Sequence, residues 1–484
     1  MRVAIVHYHL HTGGVTSIIG HAVDVLQRRG IEVVVLSGEP PEGHWSGPTR
    51  VVEALGYDGV RTPSDPALLA LDLQRAAWDT LGGTPDVWHV HNHSLGKNTA
   101  LPGALWRLAQ EGQALLLQVH DFPEDGRPAN YRRMLEEIGA GEPARLAHYL
   151  YPRAPQVHYA VLNARDRGAL EAGGCPAQQL HLLPNPVRME APLAGDPGLR
   201  LDGRRLWLYP TRAIRRKNLG EFLLWSALAG PDEQFATTRA PRNPAERPVY
   251  EAWLGFAREL GLPVEFEMGE HWRGSFASLL QAAHASVTTS VAEGFGMAFL
   301  EPWLVGRPVV GRDLPEITWE FTHEGVDLSG LYTRLDLPVD WVGREAVEDK
   351  ARAGLERLYA GYGRPVEAAD LSRCLAAWIR DGRIDFGRLD ESMQQQAIRH
   401  LHATPGAREA LSPQGLAEPT DWEPRIAANR DTIRSQYSVE HYGDRLEAIY
   451  EAILRSPSEA PDALSGPAIL DQFLAPERLT LLRT

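Results

Sequence analysis

Apolar residues follow two rhythms that alternate along this chain. In the runs 2–8 (RVAIVHY), 31–37 (IEVVVLS), 86–92 (DVWHVHN), 114–120 (ALLLQVH) and 157–163 (VHYAVLN) they are nearly continuous, as in parallel strands buried on both faces. Between these runs, 15–30, 66–81 and 98–110 space their apolar positions as a one-sided helix does, and Gly30 ends the first as a C′ glycine. A Pro- and Gly-rich passage from 182 to about 204 interrupts the pattern, which then restarts. Strands are predicted at 204–211, 264–269, 285–290 and 307–312, and helices at 217–229, 244–260, 273–283 and 297–306.

Strand, helix and strand in repetition predict an α/β chain with doubly wound parallel sheets in two Rossmann-like halves. Ligands of such sheets bind at the carboxyl ends of the strands, so two halves facing across a cleft would turn both binding edges toward it. The expected divisions are an N-terminal domain over 1–190, a C-terminal domain over 200–435 and a last segment over 436–484. The C-terminal domain contains a helical stretch at about 330–430, within which 370–403 reads as an appended helical segment. In the last segment, 437–454 is an amphipathic helix capped by Ser438, expected to pack back on the N-terminal domain, and the final 30 residues read as a loosely held tail.

Composition narrows the class. The chain has 484 residues, 43% of them hydrophobic and 23% charged, which is enough for two or three domains with a large core. Its net charge of −14 is dispersed, which argues against general nucleic-acid binding, since phosphate backbones are held by clustered cations. Cys175 and Cys374 are the two cysteines and form no CxxC, so a disulfide framework and a cysteine zinc site are not expected and a reducing cytoplasm is. The opening MRVAIVHYHL suits a first buried strand better than a signal peptide, and no apolar run is long enough to span a membrane.

Of 49 basic residues, three are lysines, at 97, 217 and 350. Lys217 follows a strand in YPTRAIRRKNLGEFLL, five positions after Arg212. From a strand's carboxyl end, an arginine fork and a compact ammonium can converge on a diphosphate; a solvated basic stretch is the plainer alternative. Gly13 and Gly14 mark the turn from first strand to first helix, where backbone can approach an anion at the helix's positive end, or simply turn. In VAEGFGMAFLEPWL, Glu293 precedes a Gly-Phe-Gly turn, a helix begins near Met297, and Glu301 lies just over a turn inside it. Such a turn offers N–H groups to phosphate and carboxylates to sugar and ribose hydroxyls. His7, His9 and His11, like His89, His91 and His93, alternate along a strand and its exit. Each trio could present one face to zinc or to sugar hydroxyls.

The two glutamates with seven residues between them, enclosing GFGMAFL, resemble the signature of retaining nucleotide-sugar glycosyltransferases of the glycogen-synthase-like superfamily, family 4 type. TGGV near the start, DVWHVHN, HDF at 120–122, the Arg212 and Lys217 pair and YSVEHYGDRLEAIYEAIL extend the resemblance over roughly 1–320 and 435–455, leaving about 330–430 without a role. The resemblance implies a GT-B architecture and transfer of a hexose, with retention and without a metal, from a nucleotide diphosphate sugar, UDP before GDP or ADP, to a hydroxyl of a small polar acceptor. Arg212 and Lys217 would neutralise the departing diphosphate, with Gly13 and Gly14 approaching it. Glu293 and the backbone of Phe295, Gly296 and Met297 would hold the sugar, Glu301 the ribose, and His120 would stand beside the reacting sugar. Lys97, Asn98, Asp121, Arg127 and Tyr131 lie in loops where such enzymes bind acceptors. Lys97 suits an anionic acceptor group, or is a surface lysine capping a loop. A glycolipid or polysaccharide acceptor, an epimerase of the same plan and a non-catalytic sugar-nucleotide binder stay open, as does a homo-oligomer.

Overall fold

The computed structural model describes residues 1–43, 45–59, 64–189, 203–418 and 422–484. The predicted linker and the domain boundary at 190–200 lie largely outside these. The chain forms two compact units. The first comprises Met1–Pro186, Ala360–Arg364 and Tyr437–Leu474; the second comprises Val187–Tyr359, Pro365–Gln436 and Ala475–Thr484.

The first unit holds strands β1 (Arg2–His7), β2 (Glu32–Ser37), β3 (Thr49–Val51), β4 (Val87–His91), β5 (Leu115–Val119), β6 (Pro152–Arg153), β7 (Val157–Val161) and β8 (Leu180–Leu182). All but β6 join one parallel sheet in the order β3-β2-β1-β4-β5-β7-β8. Every residue of β4, β5 and β7 is buried, as their unbroken apolar runs demand. Around the sheet run α1 (Gly14–Arg28), α2 (Pro66–Leu81), α3 (Leu101–Gln110), α4 (Pro128–Glu137), α5 (Pro143–Leu150) and α6 (Ala164–Ala172). Gly30 follows α1 with φ +74°, left-handed as a C′ glycine is. The pattern reading omits α4 and α5, although each begins with a proline at its first position, where a missing N–H costs nothing.

The second unit builds its sheet from β9 (Arg205–Arg212), β10 (Glu233–Arg239), β11 (Val264–Glu265), β12 (Ala285–Thr288), β13 (Val309–Arg312) and β14 (Leu331–Tyr332), ordered β11-β10-β9-β12-β13-β14 and parallel throughout. Its earlier helices are α7 (Leu219–Ser226), α8 (Arg247–Glu259), α9 (Met268–His271), α10 (Phe276–Ala282), α11 (Glu301–Leu304) and α12 (Pro315–His323). Three local expectations are corrected here. β10 goes unpredicted because its half-polar sequence EQFATTR breaks the apolar run. The strand expected at 264–269 stops at Glu265, and α9 begins at Met268. The helix expected over 297–306 is a 3-10 turn, Met297–Phe299, followed by the single turn of α11. Pro302 has no N–H and is tolerated in a first helical turn only, so the helix starts anew at Glu301.

Beyond residue 330 the second unit is mostly helical, with α13 (Arg344–Gly361), α14 (Ala368–Trp378), α15 (Glu391–Ala403) and α16 (Trp422–Gln436). It also has a small antiparallel sheet of β15 (Asp336–Pro338), β16 (Ile379–Arg380) and β17 (Arg383–Asp385), ordered β15-β17-β16. The predicted helical segment over 370–403 is therefore two helices separated by a hairpin. Its turn is Asp381 and Gly382, both left-handed at φ 50° and 72°, the Asp-Gly pair that favours two-residue hairpins.

Helix α17 (Val439–Leu454) is capped by the Ser438 side chain, which accepts from the His441 N–H. Its Tyr442, Leu446, Ile449, Tyr450 and Ile453 join Ile18, Ala22, Val25 and Leu26 of α1 in the first unit's core. The loosely held tail is a further correction. β18 (Asp462–Ala463) pairs antiparallel with β6, and α18 (Gly466–Phe473) buries Ile469, Leu470 and Phe473. Farther on, Leu479, Leu481 and Leu482 are buried in the second unit. Among the described residues no helix is long and apolar enough to cross a membrane.

Candidate functional site

Strands β9 and β12 are neighbours, with Trp207 beside Ala285 and Leu208 beside Ser286, so the loops leaving their carboxyl ends meet. Several hydrogen bonds zip these loops together. The Val291 N–H donates to the Arg216 carbonyl at 2.9 Å, and Arg216 Nη1 to the Ala292 carbonyl at 2.6 Å. Thr289 Oγ1 donates to the carbonyls of Lys217 and Asn218 at 3.1 and 3.0 Å, and Tyr209 OH to that of Lys217 at 2.8 Å.

At the centre, the Lys217 ammonium donates to Glu293 Oε1, Arg216 Nη1 reaches Glu293 Oε2 at 3.1 Å, and Ser290 Oγ donates to Oε1 at 2.7 Å. Burial raises the proton affinity of the Glu293 carboxylate, but Lys217, Arg216 and Ser290 overcome it and hold the group at about 2. Burial likewise lowers the Lys217 pKa while Glu293 opposes the change. An ammonium has three donors, so Lys217 keeps two beyond its bond to Glu293. Arg212 is exposed at the end of β9, and its guanidinium makes no hydrogen bond or ion pair among the described residues. Burial and the neighbouring Arg242 and Arg239 lower its pKa. The sequence reading singles out Lys217 and Glu293 but not Arg216, Ser290 or Tyr209, because the pairing arises from strand adjacency.

Phe295, Gly296 and Met297 follow this cluster directly. Gly296 has φ +93°, and a Cβ there would come within 2.9 Å of the Phe299 ring and 3.1 Å of Ile317, so both conformation and space require glycine. Phe295 is buried edge-on to Phe321 at 5.3 Å. Glu301, the first residue of α11, has no hydrogen-bond or ion-pair partner among the described residues, and burial alone raises its carboxyl to about 7.

In the first unit, β1, β4 and β5 are adjacent, and their exits carry the other predicted residues. Gly13 caps α1 and Gly14 begins it; a Cβ at Gly14 would have no atom within 4 Å. His120 is buried, and its Nε2 shares a 2.9 Å hydrogen bond with His91 Nδ1, the two rings stacked 5.2 Å apart. Asn92, left-handed at φ 56°, accepts from the His120 and Asp121 N–H groups through Oδ1 at 2.8 and 3.1 Å, fixing the turn. Burial, followed by His7 and His89, drives the His120 imidazole down to about 3, so it is neutral at physiological pH.

The histidine trios separate. His89, His91 and His93 are completely buried. His89 bonds Tyr450 OH at 2.8 Å and Gln118 Oε1 at 2.9 Å, and His93 Nε2 donates to the Leu150 carbonyl at 2.7 Å. This trio does not present a common face for sugar hydroxyls. His9 bonds Tyr57 OH at 2.9 Å, and His11 contacts Glu39 at 2.9 Å. No group of three or more His, Cys, Asp or Glu is placed to hold a metal among the described residues.

Of the acceptor-loop candidates, Lys97 stands 5.5 Å over the Tyr57 ring. Asn98 donates to the Ala54 and Gly56 carbonyls and accepts from the Ala100 and Leu101 N–H groups. All four of its bonding positions are filled, so Asn98 closes the loop that carries Lys97. Asp121 pairs with Arg127 at 2.7 Å, the Arg127 N–H donates to Tyr362 OH at 2.8 Å, and buried Tyr131 lies edge-on to Tyr362 at 5.3 Å. The predicted residues thus form two groups, one at the carboxyl edge of each unit's sheet.

Two such units, each a parallel α/β sheet, make the two-domain architecture of the GT-B fold. The fold superposes on sucrose-phosphate synthase from Thermosynechococcus elongatus with a TM-score of 0.53 at 17% identity, covering 93% of this chain and 98% of that one. It superposes on Anabaena HepE in complex with UDP with a TM-score of 0.54 at 14% identity, covering 93% and 100%. Residues 13–186 match the model of the glycosyl transferase 4-like domain. It is 27% identical over 339 residues to mannosylglucosyl-3-phosphoglycerate synthase of Petrotoga mobilis, an alignment spanning 61% of this chain and 62% of that relative.

Proposed function

We propose that this protein transfers a hexose from a nucleotide diphosphate sugar to a hydroxyl of a small anionic acceptor, with retention at the anomeric carbon and no metal. The observation that carries this reading is the Lys217, Glu293 and Arg216 cluster at the carboxyl edge of the second unit's sheet, with Arg212 exposed at the end of β9. Lys217 and Arg212 bind the diphosphate and neutralise the charge that develops as the sugar–phosphate bond breaks, which is the largest expected contribution to rate. Glu293 and the backbone of Phe295, Gly296 and Met297 hold the sugar. Glu301, without a hydrogen-bond or ion-pair partner among the described residues, accepts from the ribose hydroxyls.

Glu293 is held by two cations and a hydroxyl at a pKa of about 2, which suits a positioning carboxylate and not a nucleophile. The acceptor oxygen therefore attacks C1 on the face the phosphate leaves. The C1–O bond to phosphate breaks, and the acceptor's proton passes to the departing phosphate oxygen. Neutral His120 stands beside the sugar as a hydrogen-bonding group, and Gly13 and Gly14 approach the diphosphate.

The acceptor binds at Lys97, Asp121, Arg127 and Tyr131 in the first unit, and Lys97 takes its anionic group. A phosphoglycerate-type acceptor fits this chemistry and accords with the relative's name. UDP is the preferred nucleotide, in line with the UDP complexes of HepE. The test is a thermal-shift screen of UDP, GDP, ADP and their hexose conjugates on wild type and Lys217→Ala. A ligand at about 100 times its Kd adds about 2.7 kcal/mol. One nucleotide should stabilise the wild type and not the variant, and NMR of the glycoside formed on a phosphoglycerate acceptor should show retained configuration. No shift with any nucleotide would sink the reading.

A further inference from the structure

Lys217 does not sit on a helix. It ends the 3-10 turn Arg215–Lys217, and the next residue, Asn218, takes the left-handed conformation at φ 53°. That conformation is unfavourable for a residue with a side chain and persists where surroundings impose it. Here they do. Asn218 Nδ2 donates to Glu221 Oε2 at 2.7 Å, and Asn218 Oδ1 accepts from Gln394 Nε2 at 2.8 Å. On the other side of the lysine, Arg215 forks onto the Glu391 carboxylate at 2.7 and 3.1 Å. It also donates to the Thr484 and Leu481 carbonyls at 2.8 and 3.1 Å. Glu391 and Gln394 both belong to α15, inside the 330–430 stretch to which neither the sequence pattern nor the site assigns a role. A Cβ on Gly220, in the first turn of α7, would meet Gln394 Oε1 at 2.1 Å, so glycine lets α7 and α15 approach this closely. Below them, buried Arg312 joins Glu221 at 2.6 Å to Asp385, at the end of β17, at 2.8 Å.

We propose that α15 is a positioning element for the donor site: Glu391 and Gln394 grip the residues on either side of Lys217 and set its ammonium where the diphosphate binds. The inference rests on the donor-site reading above. Lys217 itself does not bond α15, so the effect passes through the turn, whose Arg215 and Asn218 side chains are each held by one side chain of that helix.

The experiment measures Kd by calorimetry for inorganic pyrophosphate and UDP with wild type, Glu391→Gln, Gln394→Met, Lys217→Ala and each α15 variant combined with Lys217→Ala. Glu391→Gln keeps size and removes the charge facing Arg215. Gln394→Met keeps volume and removes the bond to Asn218, and either variant suffices if the other fails to fold. Each α15 variant should weaken pyrophosphate about tenfold, the scale of one coupling lost from a hydrogen-bonded network. Neither should weaken it further once Lys217 is alanine. Wild-type affinity in the folded α15 variants overturns the inference, as does equal further weakening in the Lys217→Ala background, which would show that α15 acts by another route. If Lys217→Ala itself binds pyrophosphate like wild type, the donor-site reading falls and this inference with it. Loss in Lys217→Ala without loss in the α15 variants sinks the inference alone.

Discussion

At the carboxyl edge of the second unit's sheet the buried centre is a charged cluster, and at that of the first unit's it is a pair of neutral rings. At the ends of β9 and β12, Arg216 and Lys217 close on Glu293, while Arg212 and Glu301 have no hydrogen-bond or ion-pair partner among the described residues. At the ends of β4 and β5, His91 and His120 are stacked, buried and neutral, and hydrogen-bonded to each other. The contrast follows from what each edge can desolvate. Buried charges persist only with partners of opposite sign, which the second unit supplies from adjacent loops. An imidazole can instead lose its proton, and burial drives each of these to do so.

The largest effect should come from Lys217. Replacing it with Ala should lower kcat by about 10²–10³, as removal of a donor from a developing oxyanion does, in steady-state kinetics with the nucleotide sugar the screen identifies. It should also destabilise the protein without ligand, because Glu293 then keeps one cation where it had two.

Glu301 probes whether the charged edge is incomplete without its ligand. Its carboxyl is raised to about 7, so below that pH it takes up a proton and, in the proposed role, becomes a weaker acceptor for ribose hydroxyls. Nucleotide affinity should weaken by about tenfold in total as pH falls through 7 and then level off, and titration calorimetry of Glu301→Gln should lose that dependence. The stability effect has the opposite sense. With its folded pKa above the unfolded value, Glu301 costs nothing while neutral in both states, and its cost grows as pH rises from about 4.5 and is full above about 7. Glu301→Gln should therefore melt higher than wild type at pH 8 and equally at pH 4. A dependence in the same direction at both pH values would mean that Glu301 has a partner.

Lys97 tests a cation on the first edge, placed over the Tyr57 ring. Lys97→Ala should raise the acceptor KM about two- to fivefold, the scale of one exposed ion pair, and leave donor affinity unchanged. The smallest effect is an absence. Because His120 titrates near 3, kcat/KM should show no histidine inflection between pH 5 and 8 once Glu301 is Gln. A remaining inflection near 6.5 that disappears in His120→Gln would place His120 in water.

Much of this protein is legible in its residues. Uninterrupted apolar runs such as LLLQV have one stable destination, a parallel strand covered on both faces, and so they announce β4, β5 and β7 and with them the fold class. Gly296 and the pair of glutamates around it are legible for a similar reason, since a left-handed turn without room for a Cβ admits one residue type. Chain order also places Arg212 and Lys217 after a strand. What pairs with Lys217 is not in that order. Glu293 lies 76 positions away and meets it because β9 and β12 are neighbours in a sheet whose order differs from the sequence. Likewise the alternating His89, His91 and His93 fit a ligand-binding face as well as a buried strand, and the cover provided by Tyr450, Gln118 and Leu150 decides between them. The role of α15 is the most remote from the sequence, because Glu391 and Gln394 gain meaning from a turn 176 residues earlier. Local sequence fixes backbone preference and burial through short-range sterics and hydrophobicity. Partners, protonation states and the position of an ammonium are set by which distant segments exclude water together, and that is decided by the tertiary fold.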